Sequence, residues 1–173
     1  LTGKLFAREI AEKTGGNIEV VVYSSDQLSG GNMSKGVEML TQGAIDCAFE
    51  PVDVLAVLDS RLLALSLPWT FDSYEEAEEC LNSEGGEFIR EKLRDKNIET
   101  LGFIHNGFRQ LTNSKRSVVT PDDIKNMKLR VPGGDVFMEF FKALGADPVS
   151  MSFSELFTAL QQGTVDGQEN GFD

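Results

Sequence analysis

The sequence predicts an α/β protein, and three observations carry that reading. Its 173 residues suffice for one ordinary domain or two small lobes with a real core. Helix-like and strand-like hydrophobic periods alternate along the chain, the pattern of helices laid on mainly parallel sheets. One joint also recurs: Leu40-Thr41-Gln42-Gly43-Ala44-Ile45-Asp46 echoes Leu160-Gln161-Gln162-Gly163-Thr164-Val165-Asp166. Each half of the echo reads as a helix end, a glycine cap and a strand start. The echo favours two similar lobes, although helix-glycine-strand joints look alike in many α/β proteins.

The elements follow in order. Leu5, Phe6 and Ile10 share one face of a helix over residues 2–14, and Gly15-Gly16 stops it. Ile18, Val20 and Val22 alternate as a strand. A helix follows through Met33, Val37 and Leu40, then a strand over residues 45–49 that contains Cys47. Ser73-Tyr74-Glu75-Glu76 is a capping box that opens the next helix. Phe88, Ile89 and Leu93 belong to another helix, and residues 98–104 are apolar enough for a buried strand. Thr120-Pro121-Asp122-Asp123 places an N-cap, a proline at the first helical position and acids in the first turn. Lys128-Leu129-Arg130-Val131 is a short strand. Val136, Phe137, Phe140, Phe141 and Leu144 line a helix that Gly145 closes. Ser152-Phe153-Ser154-Glu155 is a second capping box, and Val165-Asp166-Gly167-Gln168 is the last strand.

Composition removes several function classes. The net charge of -12 repels polyanions, so no nucleic-acid partner is expected. Much of the acidity falls between Asp72 and Glu91, where it reads as a solvated helix face. Cys47 and Cys80 have no metal-binding spacing and read as free thiols. His105 is the single histidine, with no second histidine or cysteine pair to form a metal site. Phosphate-binding glycine loops and a serine-nucleophile elbow are missing, so no cofactor is expected.

The arginines carry more information. Arg130 stands inside an apolar strand and ahead of Pro132, where an unpaired charge is costly. A guanidinium there suits two parallel hydrogen bonds to a carboxylate. Arg109, within Gly107-Phe108-Arg109-Gln110-Leu111, has similar neighbours. Either arginine equally fits a solvent-facing residue or the partner of an internal acid. Phe153 and Trp69 fit the wall of a ligand pocket or ordinary core. If the two echoed units are equivalent, Glu50 and Asn170 stand at matching positions just past two strands, where open α/β sheets bind ligands. An enzyme acting on a carboxylate remains the alternative, with His105 as its general base.

Gly107-Phe108-Arg109-Gln110-Leu111-Thr112-Asn113, Thr120-Pro121-Asp122-Asp123, Leu129-Arg130-Val131-Pro132 and the stretch from Met151 to Asn170 form an ordered set of motifs. In these the chain resembles the solute-binding subunits of tripartite ATP-independent periplasmic (TRAP) transporters, DctP type. Leu67-Pro68-Trp69-Thr70-Phe71 and Gln27-Leu28-Ser29-Gly30-Gly31 also fit, and Gly171 stands where proline is common. The resemblance implies a two-lobed periplasmic-binding-protein-like fold of type II, truncated at both ends. It would divide into a first lobe over residues 1–106, lacking its first strand, and a second over 107–173, lacking later strands and the hinge helix. It implies an extracytoplasmic, periplasmic receptor, not an enzyme, that captures a C4-dicarboxylate, a uronate or another sugar acid for TRAP membrane subunits. Arg130 would be the main carboxylate partner, Arg109 a second polar contact, Asn170 a contact across the cleft and Phe153 a packing surface. Glu50 matches a position that meets ligand hydroxyls or amines in relatives. Strand edges left exposed are expected to support a homodimer by strand exchange, or else a fragment that only self-assembles.

Overall fold

The computed structural model describes residues 2–132 and 134–171. Seven α-helices and four strands are present among them. The helices are α1 (Thr2–Lys13), α2 (Met33–Thr41), α3 (Val52–Leu55), α4 (Tyr74–Leu81), α5 (Glu84–Arg94), α6 (Asp135–Ala143) and α7 (Phe153–Gln162). The strands are β1 (Gln110–Asn113), β2 (Lys128–Val131), β3 (Asp147–Ser150) and β4 (Gly167–Asn170).

The four strands form one mixed sheet in the order β1-β4-β2-β3. β2 runs parallel to β3 and to β4, whereas β1 is antiparallel to β4. The expectation of mainly parallel pairing therefore holds for two of the three pairings. Neither β1 nor β3 has a counterpart in the sequence reading, and β3 contains Pro148, a residue that strands seldom hold. At the edge of the sheet a missing N–H costs no ladder bond, and there proline is tolerated.

Asp166 locks three of these strands together. Its carboxylate accepts from Lys128 N at 2.9 Å and pairs with Lys115 Nζ at 3.0 Å. Its carbonyl accepts from Ser114 N, and its own N–H donates to the Lys128 carbonyl. These hydrogen bonds, with Lys115 beside them, hold the Asp166 carboxyl below the usual aspartate range. Gly167, next in line, has no room for a side chain: a Cβ there would lie 2.3 Å from the Thr112 carbonyl oxygen.

Two separate hydrophobic clusters hold the structure. The first joins Val37, Val54, Leu55, Leu62, Ile89 and Leu93, with Met33 and Phe103 against it. It is a helical cluster, drawn from α2, α3, α5 and a 3-10 turn at Ser60–Ser66. The second joins Ile124, Met127, Leu129, Val131, Phe137 and Phe141, where α6 covers one face of β2.

The three strands expected over residues 18–22, 45–49 and 98–104 do not form a ladder. A strand needs a hydrogen-bonded neighbour as well as alternation, and none of these segments pairs with another. Several of their apolar side chains face outward, Val21, Phe49, Leu101 and Ile104 among them, while Ile98 and Phe103 pack against the first cluster.

Two helix starts differ in detail from the expected capping. At α4, Ser73 Oγ accepts from Glu76 N at 3.1 Å as foreseen, but Glu76 reaches past the cap to Asp72 N at 2.9 Å. At α7, Ser152 Oγ donates to the Glu155 carboxylate at 2.6 Å and caps no backbone N–H. The Thr120-Pro121 start is a short 3-10 turn, Pro121–Ile124, whose Asp123 carboxylate accepts from the N–H groups of Val119 and Thr120.

Candidate functional site

A cavity of about 300 Å³ lies between the two clusters, with Met33, Asp53 and Val54 on one wall and Arg109, Arg130 and Phe153 on the other. Pro132 and Asn170, at the carboxyl ends of β2 and β4, complete the second wall. The rim is tight. A Cβ on Gly31 would come within 2.9 Å of Ser154 Oγ at the start of α7, and Gly31 holds a φ of +85°, which favours glycine.

Arg130 owes its position to strand alternation. Leu129 and Val131 point into the cluster under α6, so the residue between them projects from the opposite face. That face meets α7, and the Arg130 Cζ lies 6.0 Å from the centre of the Phe153 ring. Arg130 is only 2% exposed. Its Nε donates to the Met151 carbonyl at 2.9 Å. Among the described residues, its other two guanidinium nitrogens make no hydrogen bond and no carboxylate lies within 4.0 Å. Burial lowers the proton affinity of this group, and the nearby Glu169 carboxylate works against that effect.

Arg109 is arranged otherwise. Its Nε and one terminal nitrogen grip the Glu169 carboxylate at 2.6 and 2.8 Å, and the same nitrogen reaches the Glu169 carbonyl at 3.2 Å. The acid is almost fully buried while the arginine side chain is 31% exposed. Arg109 thus lines the cavity with its charge already paired, as the internal-acid reading of an arginine supposes. The sequence reading did not single out Glu169, which lies 60 residues away along the chain.

Of the other expected residues, Asn170 and Phe153 line the cavity. The Asn170 Oδ1 accepts from Gly171 N at 3.0 Å, which turns its amide NH₂ away from its own backbone. Gly171 is held close: a Cβ there would sit 2.6 Å from the Asn106 carbonyl. Glu50 stands just behind the wall, preceding the lining residue Pro51, with its carboxylate against Gly36. Burial, followed by repulsion from Asp26 and Asp53, pushes the Glu50 carboxyl up to about 7. Trp69 is a correction. It does not line the cavity but is 83% exposed, in a loop with φ of 60°, and its ring stands edge-on to Phe140 at 5.5 Å. A Pro-Trp loop carries no periodicity that would fix where such a side chain points.

His105, the base of the enzyme alternative, also lies away from the cavity lining. Its Nε2 is 2.9 Å from Glu78 Oε1, and its ring packs edge-on against Tyr74. It fastens α4 to the segment that follows α5. Asp53 was missed by the sequence reading, yet it carried the same signal as Arg130: a charge within the apolar run Pro51-Val52-Asp53-Val54-Leu55. Burial pushes its carboxyl up, while its own backbone N–H and Arg109 pull it down. Arg130 is therefore a buried cation facing the cavity, and no nucleophile-base pair stands beside it among the described residues.

Comparison with known proteins identifies the family and the fold. The family described as bacterial extracellular solute-binding protein, family 7 (DctP) matches residues 2–172. A TRAP periplasmic solute-binding protein from Ralstonia eutropha, crystallised with (S)-2-acetolactate, superposes with a TM-score of 0.94 at 34% identity. The alignment covers 97% of this chain and 54% of that one. A second, from Sulfitobacter with β-D-galacturonate, superposes at a TM-score of 0.91 and 30% identity, covering 96% and 55%. The C4-dicarboxylate-binding protein DctB of Bacillus subtilis is 32% identical over 170 residues, 98% of this chain and 48% of its own length. The chain thus spans about half the length of the relatives it matches. The α/β fold class inferred from the sequence is that of periplasmic solute-binding proteins, and the chain belongs to the DctP family of bacterial extracellular solute-binding proteins.

Proposed function

We propose that this chain forms the carboxylate-gripping part of a periplasmic receptor that delivers a small organic acid to the membrane subunits of a TRAP-type transporter. The observation that carries the reading is Arg130: a buried guanidinium facing a cavity, without a described acid of its own. A buried charge in that state is costly and calls for a partner. The relatives support the same chemistry, since acetolactate and galacturonate, the ligands of the two crystallised proteins, each carry a carboxylate. Arg109, clamped by Glu169, and Asn170 frame the ligand's polar atoms, while Phe153 packs on its carbon skeleton. The boundary between two lobes, 1–106 and 107–173, follows the separation of the two clusters. Capture and release proceed by hinge motion between them, driven by tighter binding to the closed state.

The test is a thermal-shift series with mono- and dicarboxylates and sugar acids on the native chain and on Arg130→Ala. A ligand at 100 times its Kd stabilises the folded state by about 2.7 kcal/mol, a shift of several degrees. A shift that disappears in Arg130→Ala supports the reading. An Arg130→Ala chain with unchanged affinity overturns the role of that residue.

A second reading rests on a different observation. The unpaired segments around residues 18–22, 45–49 and 98–104 expose Val21, Phe49, Leu101 and Ile104. Two copies of the chain would cover these side chains by strand exchange, forming a homodimer. Sedimentation across a hundredfold range of concentration tests it, and a single monomeric species throughout rules it out.

A further inference from the structure

The two walls of the cavity differ in charge. Arg109 and Arg130 stand on one wall, and Asp53 is the charged residue of the other. Glu169 already engages Arg109 through two short hydrogen bonds. The opposition that remains open to a ligand is Arg130 against Asp53.

Asp53 is rigidly placed. It occupies α3, a single turn whose next two residues, Val54 and Leu55, belong to the first core cluster. Two further acids stand within electrostatic reach of this wall, because Glu50 feels both Asp26 and Asp53. A ligand that docks one carboxylate on Arg130 therefore directs its other end toward the wall that Asp53 charges.

Resting on the reading that this cavity takes an organic acid, we propose that Asp53 is a specificity-determining residue. It selects acids that carry a single carboxylate and hydrogen-bond donors, hydroxyl or ammonium, on the remainder of the molecule, and it turns dicarboxylates away. The chemistry follows from donor and acceptor inventory. An ionised carboxylate only accepts hydrogen bonds, so it is satisfied by a ligand hydroxyl or ammonium group. A second ligand carboxylate brings no donor and meets the like charge of Asp53. The first carboxylate has already neutralised Arg130, and Arg109 is held by Glu169. No described cation on either wall is left to accept the second one.

Two pairs matched in carbon number test the proposal by calorimetry at pH 8. D-erythronate is compared with succinate at four carbons, and D-galactonate with galactarate at six. In the native chain each monocarboxylate is expected to bind at least about tenfold more tightly than its partner, the scale set by juxtaposed like charges. In Asp53→Asn, checked for its fold by circular dichroism, each gap narrows to within about threefold, with the dicarboxylates gaining. Equal affinities within a pair in the native chain overturn the proposal without recourse to any variant. So does a gap that survives in folded Asp53→Asn. In both cases the organic-acid reading stands. If none of the four acids binds, that reading fails and this proposal fails with it.

Discussion

Glu50→Gln converts a buried carboxyl into a neutral group of the same shape, and its effect on stability should depend on pH in a defined way. The folded-state value of Glu50 is raised from 4.5 to about 7, first by burial and then by Asp26 and Asp53. The folded chain therefore holds a proton that the unfolded chain releases. The sign follows from linkage: this group's contribution to stability is fully present below 4.5 and is lost as the pH rises through about 7. The full loss amounts to about 3 kcal/mol. Glutamine has no proton to lose, so native and variant chains should differ by less than about 1 kcal/mol at pH 5. They should separate to about 3 kcal/mol at pH 8, with the variant the more stable. For a chain of this size that corresponds to a gap in Tm that widens by roughly 5–10 °C between pH 5 and pH 8. Urea unfolding of both chains at half-unit steps over this range gives the two curves. Curves that run parallel from pH 5 to pH 8 would refute the reasoning, because a constant offset reports packing and not titration.

Two further perturbations test the frame around the cavity. Glu169→Gln leaves the partly exposed Arg109 without its carboxylate, and unfolding should cost about 2 kcal/mol less, below the range for a fully buried pair; a double change with Arg109→Gln should recover part of that loss, as a double-mutant cycle will show. Gly167→Ala forces a methyl against the Thr112 carbonyl and should destabilise by about 1–3 kcal/mol, with amide exchange fastest where β1 meets β4; an alanine variant of native stability would show that β1 moves freely.

Sequence and structure agree most closely at β2, α6 and α7, and the reasons are local. Gly145 and Gly163 end α6 and α7 in the left-handed conformation that glycine tolerates, and Leu129 and Val131 alternate around Arg130 as a half-buried strand should. Arg130 was legible because a charge inside an apolar strand needs a reason. Asp53 offered the same signal but was passed over, since the run around it reads equally as strand or helix and gives no face to assign. Glu169 was invisible for a different reason: its partner Arg109 comes near only through the β1–β4 pairing, which no local pattern encodes. The missing ladder at residues 18–22, 45–49 and 98–104 marks the limit of periodicity. Alternation of Ile18, Val20 and Val22 states which faces a strand would have, and says nothing about whether a neighbour is present to pair with it.

With the cavity taking an organic acid as proposed, the contrast between the two arginines explains how one site is both stable and receptive. Both enter the cavity from the same wall, and both are desolvated to some degree. Glu169 closes on Arg109 in the two-pronged geometry that suits a guanidinium, so Arg109 keeps its charge compensated whether or not a ligand is present. Arg130 is more deeply buried yet has only the Met151 carbonyl on its Nε. Carbonyl dipoles and the neighbouring Glu169 ease the burial of its charge but do not neutralise it in place. In the function we propose, the free energy held in that unpaired cation is available to an incoming carboxylate. Placing a second acid within reach of Arg130, in the way Glu169 reaches Arg109, would stabilise the empty chain and abolish the advantage of binding. On the proposed function, the asymmetry between a paired and an unpaired arginine, seven-tenths hidden in one case and almost wholly hidden in the other, separates a structural frame from the group that takes the ligand.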